Sequence, residues 1–143
     1  TQHLLEKNQA IQSFLPILLS ILKSKSELIP AFQQQLNPRL NDAFASNVSL
    51  KQQFLEHVRG AAPADEIEST LSRSITPALA FLATEAGSSE PEAISHLLQV
   101  NTDSISRALP EWATALLAGL GVNILQGHYF HILISHVCLM NWE

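Results

Sequence analysis

The sequence predicts an all-α fold, a bundle of about seven short helices punctuated by proline. Three observations carry this reading. Apolar residues recur at helical spacing, as in Phe14, Ile17, Leu18, Ile21 and Leu22. Capping residues and prolines separate the apolar runs. Short alternating Val/Ile/Thr segments, the mark of half-buried strands, are absent before residue 124.

Residues 3–13 read as an opening helix. Ser13 is the expected cap of the next, FLPILLSILKS. Pro16 then falls in a first turn, where its missing N–H has no helical partner to lose. The run ELIPAFQQQL offers Leu28, Ile29, Phe32 and Leu36. Asn37-Pro38 reads as an N-cap followed by proline at the first helical position, and that helix contributes Leu40 and Phe44. Ser49 and Gln52 form a capping box for SLKQQFLEHVRG, with Gly60 as its stop. Its inner face is Leu50, Phe54, Leu55 and Val58.

After Pro63, Asp65, Glu66 and Glu68 sit where acidic residues complement a helix N-terminus. Ser74 is expected to restart the helix as ITPALAFLATEA, ended by Gly87. Ser89 and Glu92 read as a second capping box, for EPEAISHLLQV, which ends near Asn101. Thr102 or Asp103 opens the last clear helix, expected to run through Pro110 to about Leu120 and to close at Gly119 and Gly121. The expected core draws on Phe14, Leu18, Ile21, Phe32, Phe44 and Phe54 in the first half. In the second it draws on Ile67, Leu71, Leu79, Leu82, Leu97, Ile105, Leu109, Leu116 and Leu117.

The 143 residues fit one domain with room for a core, and 46% apolar with 15% charged residues exclude a disordered chain. A net charge of −5 and scattered basic residues disfavour nucleic acid, which needs clustered Lys and Arg. One Cys excludes an internal disulfide framework. Met140 is the only methionine, so the chain reads as a processed product or a piece of a longer protein.

The last third differs from the rest. From Trp112 to Trp142 there is no Asp, Glu, Lys or Arg, whereas all seven prolines precede this stretch. Apolar surface of that extent is costly in water and needs a core, a partner or a bilayer to shelter it. Residues 1–123 are expected to form the helical domain, and 124–143 an apolar tail, native or appended. The tail's Ile, Val, Tyr and Phe suit a strand, while its length suits a helix.

An internal repeat is visible: LSRSITPALAFLATEAG (71–87) is similar to ISRALPEWATALLAGLG (105–121), with a one-residue slip. Each unit reads as a short helix, a proline bend and a second helix rich in small residues. These allow close helix–helix approach. The segment PADEIESTLSRSITPALAFLATEAGSSEPEAISHLL, followed by SISRALPEWATALLAGLGVN, resembles the YidB-like bacterial proteins of uncharacterised function over about residues 60–123. The shared features are an acidic helix start, a proline bend and an Ala/Gly-rich helix. The resemblance implies an all-α module, of a kind also found ahead of OmpA-like domains in envelope proteins. It implies no established activity, and the tail departs from it.

Candidate chemistry is sparse. Asp65, Glu66 and Glu68 have the composition of an acid cluster, but their place at a helix start gives them a structural role. Glu56 and His57 are adjacent, so they face different directions on a helix, and His96 reads as a boundary residue. His128, His131, His136 and Cys138 offer four zinc-type ligands within eleven residues. On one straight helix three of them spread over about 15 Å, so a tetrahedral site needs a folded turn. No nucleophile elbow, phosphate loop or zinc-protease motif is present.

Trp112 and Trp142 bracket the uncharged stretch, which raises a membrane reading. Gly119, Gly121, Asn123, Gln126, Gly127 and His128 interrupt it, leaving apolar pieces of 14 residues or fewer, too short to span. The functional expectation is a helical interaction module without cofactor or enzymatic activity, from the bacterial envelope or the cytoplasm. It is expected to be a homo-oligomer or to bind a protein partner. The expected contact surface is Trp112, Leu116, Leu120, Tyr129, Phe130, Ile132, Ile134 and Trp142. Metal binding at the tail histidines and membrane activity are the alternatives.

Overall fold

A computed structural model describes residues 3–122. Among the described residues there are eight α-helices and no strand: α1 (Leu4–Ser24), α2 (Leu28–Gln33), α3 (Leu40–Ala43), α4 (Val48–Val58), α5 (Ala64–Ala86), α6 (Pro91–Val100), α7 (Thr102–Ala108) and α8 (Glu111–Gly119). The described residues form an all-α fold, as their apolar periodicity requires. The long helices α1 and α5 pack on each other at the centre. The shorter α4, α6, α7 and α8 also lie against α1, while α2, α3, α4 and α6 lie against α5.

The core follows the amphipathic stripes. Phe14, Ile17, Leu18, Ile21 and Leu22 of α1 are all fully buried. Phe54 of α4 sits at the centre of an aromatic cluster, with ring centroids 5.8 Å from Phe14, 5.3 Å from Phe44 and 5.9 Å from Trp112. Tilted ring pairs at such distances add to the burial of apolar area. Two expected core residues, Leu97 and Leu109, are only half-buried. On α6 the inner stripe is Ile94 and Leu98 instead, one position along from Leu97.

Two expected helix breaks do not occur. α1 runs unbroken through Ser13 and Pro16, and α5 through Ser74 and Pro77. Neither serine caps a helix; Ser74 Oγ instead donates to the Leu71 carbonyl at 2.6 Å. An interior proline removes one backbone hydrogen bond and costs about 3 kcal/mol relative to alanine. Here each lies in a helix of more than 20 residues whose buried stripe offsets that loss. Pro77 is exposed and Pro16 half-buried, so the bond is missing on the outer side of each helix.

Pro110 does break its helix. Leu109 and Pro110 are both extended, with ψ of 136° and 153°, separating α7 from α8. The residue before proline favours that conformation. The seven-residue α7 buries only Ile105, too little to hold a helix through the ring.

The caps also differ in detail. α4 begins at Val48, and Asn47 Oδ1 accepts from the Leu50 N–H at 3.1 Å, in place of the Ser49–Gln52 box. α3 starts at Leu40 rather than after Asn37. α6 starts with Pro91, and Ser88 rather than Ser89 supplies the hydroxyl, accepting from the Glu90 N–H. Of the expected glycine stops, Gly60, Gly87 and Gly121 take left-handed φ after their helices, whereas Gly119 is the last residue of α8 itself. At the end of α5, Gly87 has φ +77°, and Ser88 N–H donates to the Ala83 carbonyl. At the end of α8, Gly121 has φ +81°, and Val122 N–H donates to the Leu117 carbonyl. This left-handed turn satisfies carbonyls that the helix end leaves open.

Replacing the exposed Pro77 by alanine gives position 77 an N–H for the Arg73 carbonyl. Pro77→Ala is expected to raise unfolding free energy by about 1–3 kcal/mol, read as a higher urea midpoint with unchanged slope. An unchanged or lower midpoint contradicts the interior-proline assignment.

Candidate docking surface

The acidic residues at the start of α5 do not converge. Glu66 reaches across to Lys7 of α1 at 3.1 Å, and Glu68 to Lys51 of α4 at 3.0 Å. Asp65 is exposed in the first turn of the helix. Glu66 and Glu68 thus tie α5 to two neighbours, and Asp65 complements its N-terminal dipole. No group of three or more His, Cys, Asp or Glu with metal-binding geometry occurs among the described residues. His128, His131, His136 and Cys138 lie outside the described residues.

The expected contact surface is divided by the structure. Leu116 and Leu120 are buried in the molecule's own core, at 4% and 8% exposure. This corrects their assignment as free surface: Leu116 is on the inner stripe of α8, which packs against α4 and α1, and Leu120 is the buried residue that caps the helix. Trp112 is half-buried between Phe54 and His57. Its indole lies parallel to the His57 ring, 2° from coplanar with centroids 4.4 Å apart. His57 is therefore a cover over the tryptophan and not a partner of Glu56, whose carboxylate pairs with Arg59. Gly119 brings α8 close to α4, since a Cβ there would lie 3.1 Å from Leu50. Tyr129, Phe130, Ile132, Ile134 and Trp142 lie outside the described residues. His96 is exposed on α6, not a boundary residue.

A different face stays open. Between α1 and α5 runs an apolar groove of about 580 Å³, floored by Ile11, Leu15 and Leu19 on one side and Pro77 and Ala78 on the other. A second groove of about 420 Å³ continues past Leu15 and Leu19 towards Ile105 and Ala108 of α7. Phe81 lines both grooves and is 62% exposed. It stands as a ridge between two apolar hollows. Arg73 is the ionisable residue lining the first groove, and Glu85 the one lining the second. Among the described residues nothing covers most of this ring, and with the two hollows it forms one contiguous apolar face rather than a lone exposed side chain.

Sequence reasoning missed this face for a definable reason. Ile11, Leu15 and Leu19 form an i, i+4, i+8 row beside the buried row of α1. With α1 divided at Ser13, the row is cut and its continuity is lost. Phe81 falls off the Ile75, Leu79, Leu82 stripe of α5, and that displacement was the available signal.

Compared with protein-family models, curated proteins and solved structures, the chain shows no significant match. The YidB-like resemblance rests on the residues that suggested it. No helix among the described residues is long and apolar enough to cross a membrane.

Trp112 separates the two assignments of α8. As an internal packing residue, Trp112→Ala should destabilise the fold by about 2–4 kcal/mol in urea unfolding. A change under about 0.5 kcal/mol would return Trp112 to the free surface.

Proposed function

We propose that this chain is a helical docking module, not an enzyme, and that it receives an amphipathic helix on the α1/α5 face. The observation that carries the reading is Phe81, 62% exposed between two apolar grooves. Helix-in-groove recognition uses such a surface: apolar anchors at i, i+3, i+4 and i+7 enter a hollow between helices. Exposed aromatic anchors supply much of the energy of protein contacts. The groove lining offers contact area and few polar groups, which suits recognition better than chemistry.

A second reading keeps the contact in the uncharged stretch. Trp112–Trp142 contains no Asp, Glu, Lys or Arg, and among the described residues Ala113, Leu116, Leu117, Leu120 and Val122 of this stretch are buried in the core. Residues 124–143 then supply the self-association surface.

A photo-crosslinking amino acid at position 81, at position 129 or at the exposed α4 position 53 distinguishes these. The purified chain and an extract of the producing cells are both irradiated, and adducts are mapped by mass spectrometry. Adducts from 81 to an apolar helical peptide, with none from 53, are expected. Adducts from 129 alone favour the second reading. Their absence at 81 and 129 overturns both.

A further inference from the structure

We infer that the helix received on this face is α5 of a second copy, lying antiparallel about a two-fold axis that crosses the exposed face at the height of Leu79, whose own side chain is turned into the core. The inference rests on the docking reading and names its partner. A two-fold interface must be self-complementary: whatever protrudes from the patch must fit a hollow in the same patch, and each charge must meet its opposite. The α5 face meets both conditions.

The protrusion is Phe81 and the hollow is the adjoining α1/α5 groove beside Pro77. Pro77 and Phe81 lie two residues on either side of Leu79. Reversal of a second α5 about that point sets each Phe81 level with the Pro77 of the other copy. Each ring then enters the other's groove, against Leu15 and Leu19. Proline suits that position, because it presents ring carbons and no N–H to an apolar neighbour.

The charges obey the same symmetry. Arg73 and Glu85 lie six residues on either side of Leu79, about 9 Å along the helix at 1.5 Å per residue. Reversal brings the Arg73 of each copy level with the Glu85 of the other, twice per dimer. Neither residue has an ion-pair partner among the described residues: the Arg73 Nε–H is directed to the Ser69 carbonyl at 3.4 Å. A parallel pairing about the same residue would instead set arginine on arginine and glutamate on glutamate. Each copy carries a net charge of −5, so association is opposed at long range and local pairing at the contact matters more.

Sedimentation velocity over a concentration series, with the whole chain, tests the pairing. Wild type is expected to show a monomer–dimer equilibrium. Phe81→Glu should weaken the dimer at least about thirtyfold. Arg73→Glu and Glu85→Arg should each weaken it about tenfold, since each reversal sets two like-charge contacts. The double variant Arg73→Glu/Glu85→Arg should return to near wild-type affinity, because the opposite charges again face each other. All substituted side chains are exposed, and circular dichroism confirms that folding is unchanged. A wild type that stays monomeric overturns the inference. So does a dimer indifferent to Phe81→Glu, or a double variant weaker than either single one. Crosslinks from position 81 to another protein, with a monomeric purified chain, overturn it while leaving the docking reading in place.

Discussion

Burial of one face of α1 is the constraint on which the rest of the molecule depends. Phe14, Ile17, Leu18, Ile21 and Leu22 are fully buried, and α4, α5, α6, α7 and α8 all lie against this one helix. Five fully buried aliphatic or aromatic side chains are worth about 1.5–3 kcal/mol each relative to exposure. Against that sum, the roughly 3 kcal/mol lost at an interior proline is affordable, and α1 continues through Pro16. The same balance keeps α5 continuous at Pro77 and fails for α7, which has only Ile105 to bury before Pro110.

The same helix also explains the open face. A row at Ile11, Leu15 and Leu19 runs beside the buried row, and α5 covers only part of it. The short helices α6 and α7 close one end without filling the gap, which leaves the second groove beside Ile105. Phe81 and Pro77 border the opening on the α5 side. A proline interior to α5 weakens the helix, and its ring forms part of the groove wall. Stability and surface shape therefore pull against each other at position 77, as they often do at binding sites.

The helical class, most of the core and the glycine-terminated ends of α5 and α8 were legible in the sequence, because periodicity and left-handed stops are local signals. Phe14, Phe44, Phe54, Ile67 and Leu71 lie where the stripes put them. The continuity of α1 and α5 was not legible, because a proline reads locally as a break and only tertiary burial decides otherwise. The identity of the α4 cap turned on whether the first turn opens at Asn47, which accepts from the Leu50 N–H, or at Ser49, which would accept from the Gln52 N–H, a matter of backbone geometry. The docking face was hidden for a related reason. Its two rows, Ile11 to Leu19 on α1 and Pro77 to Phe81 on α5, lie more than 50 residues apart in sequence and are brought together only by packing. The oily character of α8 was plain, yet composition could not say that Leu116 and Leu120 turn inward.

Native-state hydrogen exchange tests the central role of α1 most directly. Amides from Phe14 to Leu22, Pro16 having none, should belong to the slowest class and exchange only through global unfolding, since every packed neighbour must leave before they open. Opening of α1 at a lower free energy than α6 or α7 would contradict its place at the centre of the bundle. It would also remove the rigid floor that the α1/α5 groove requires.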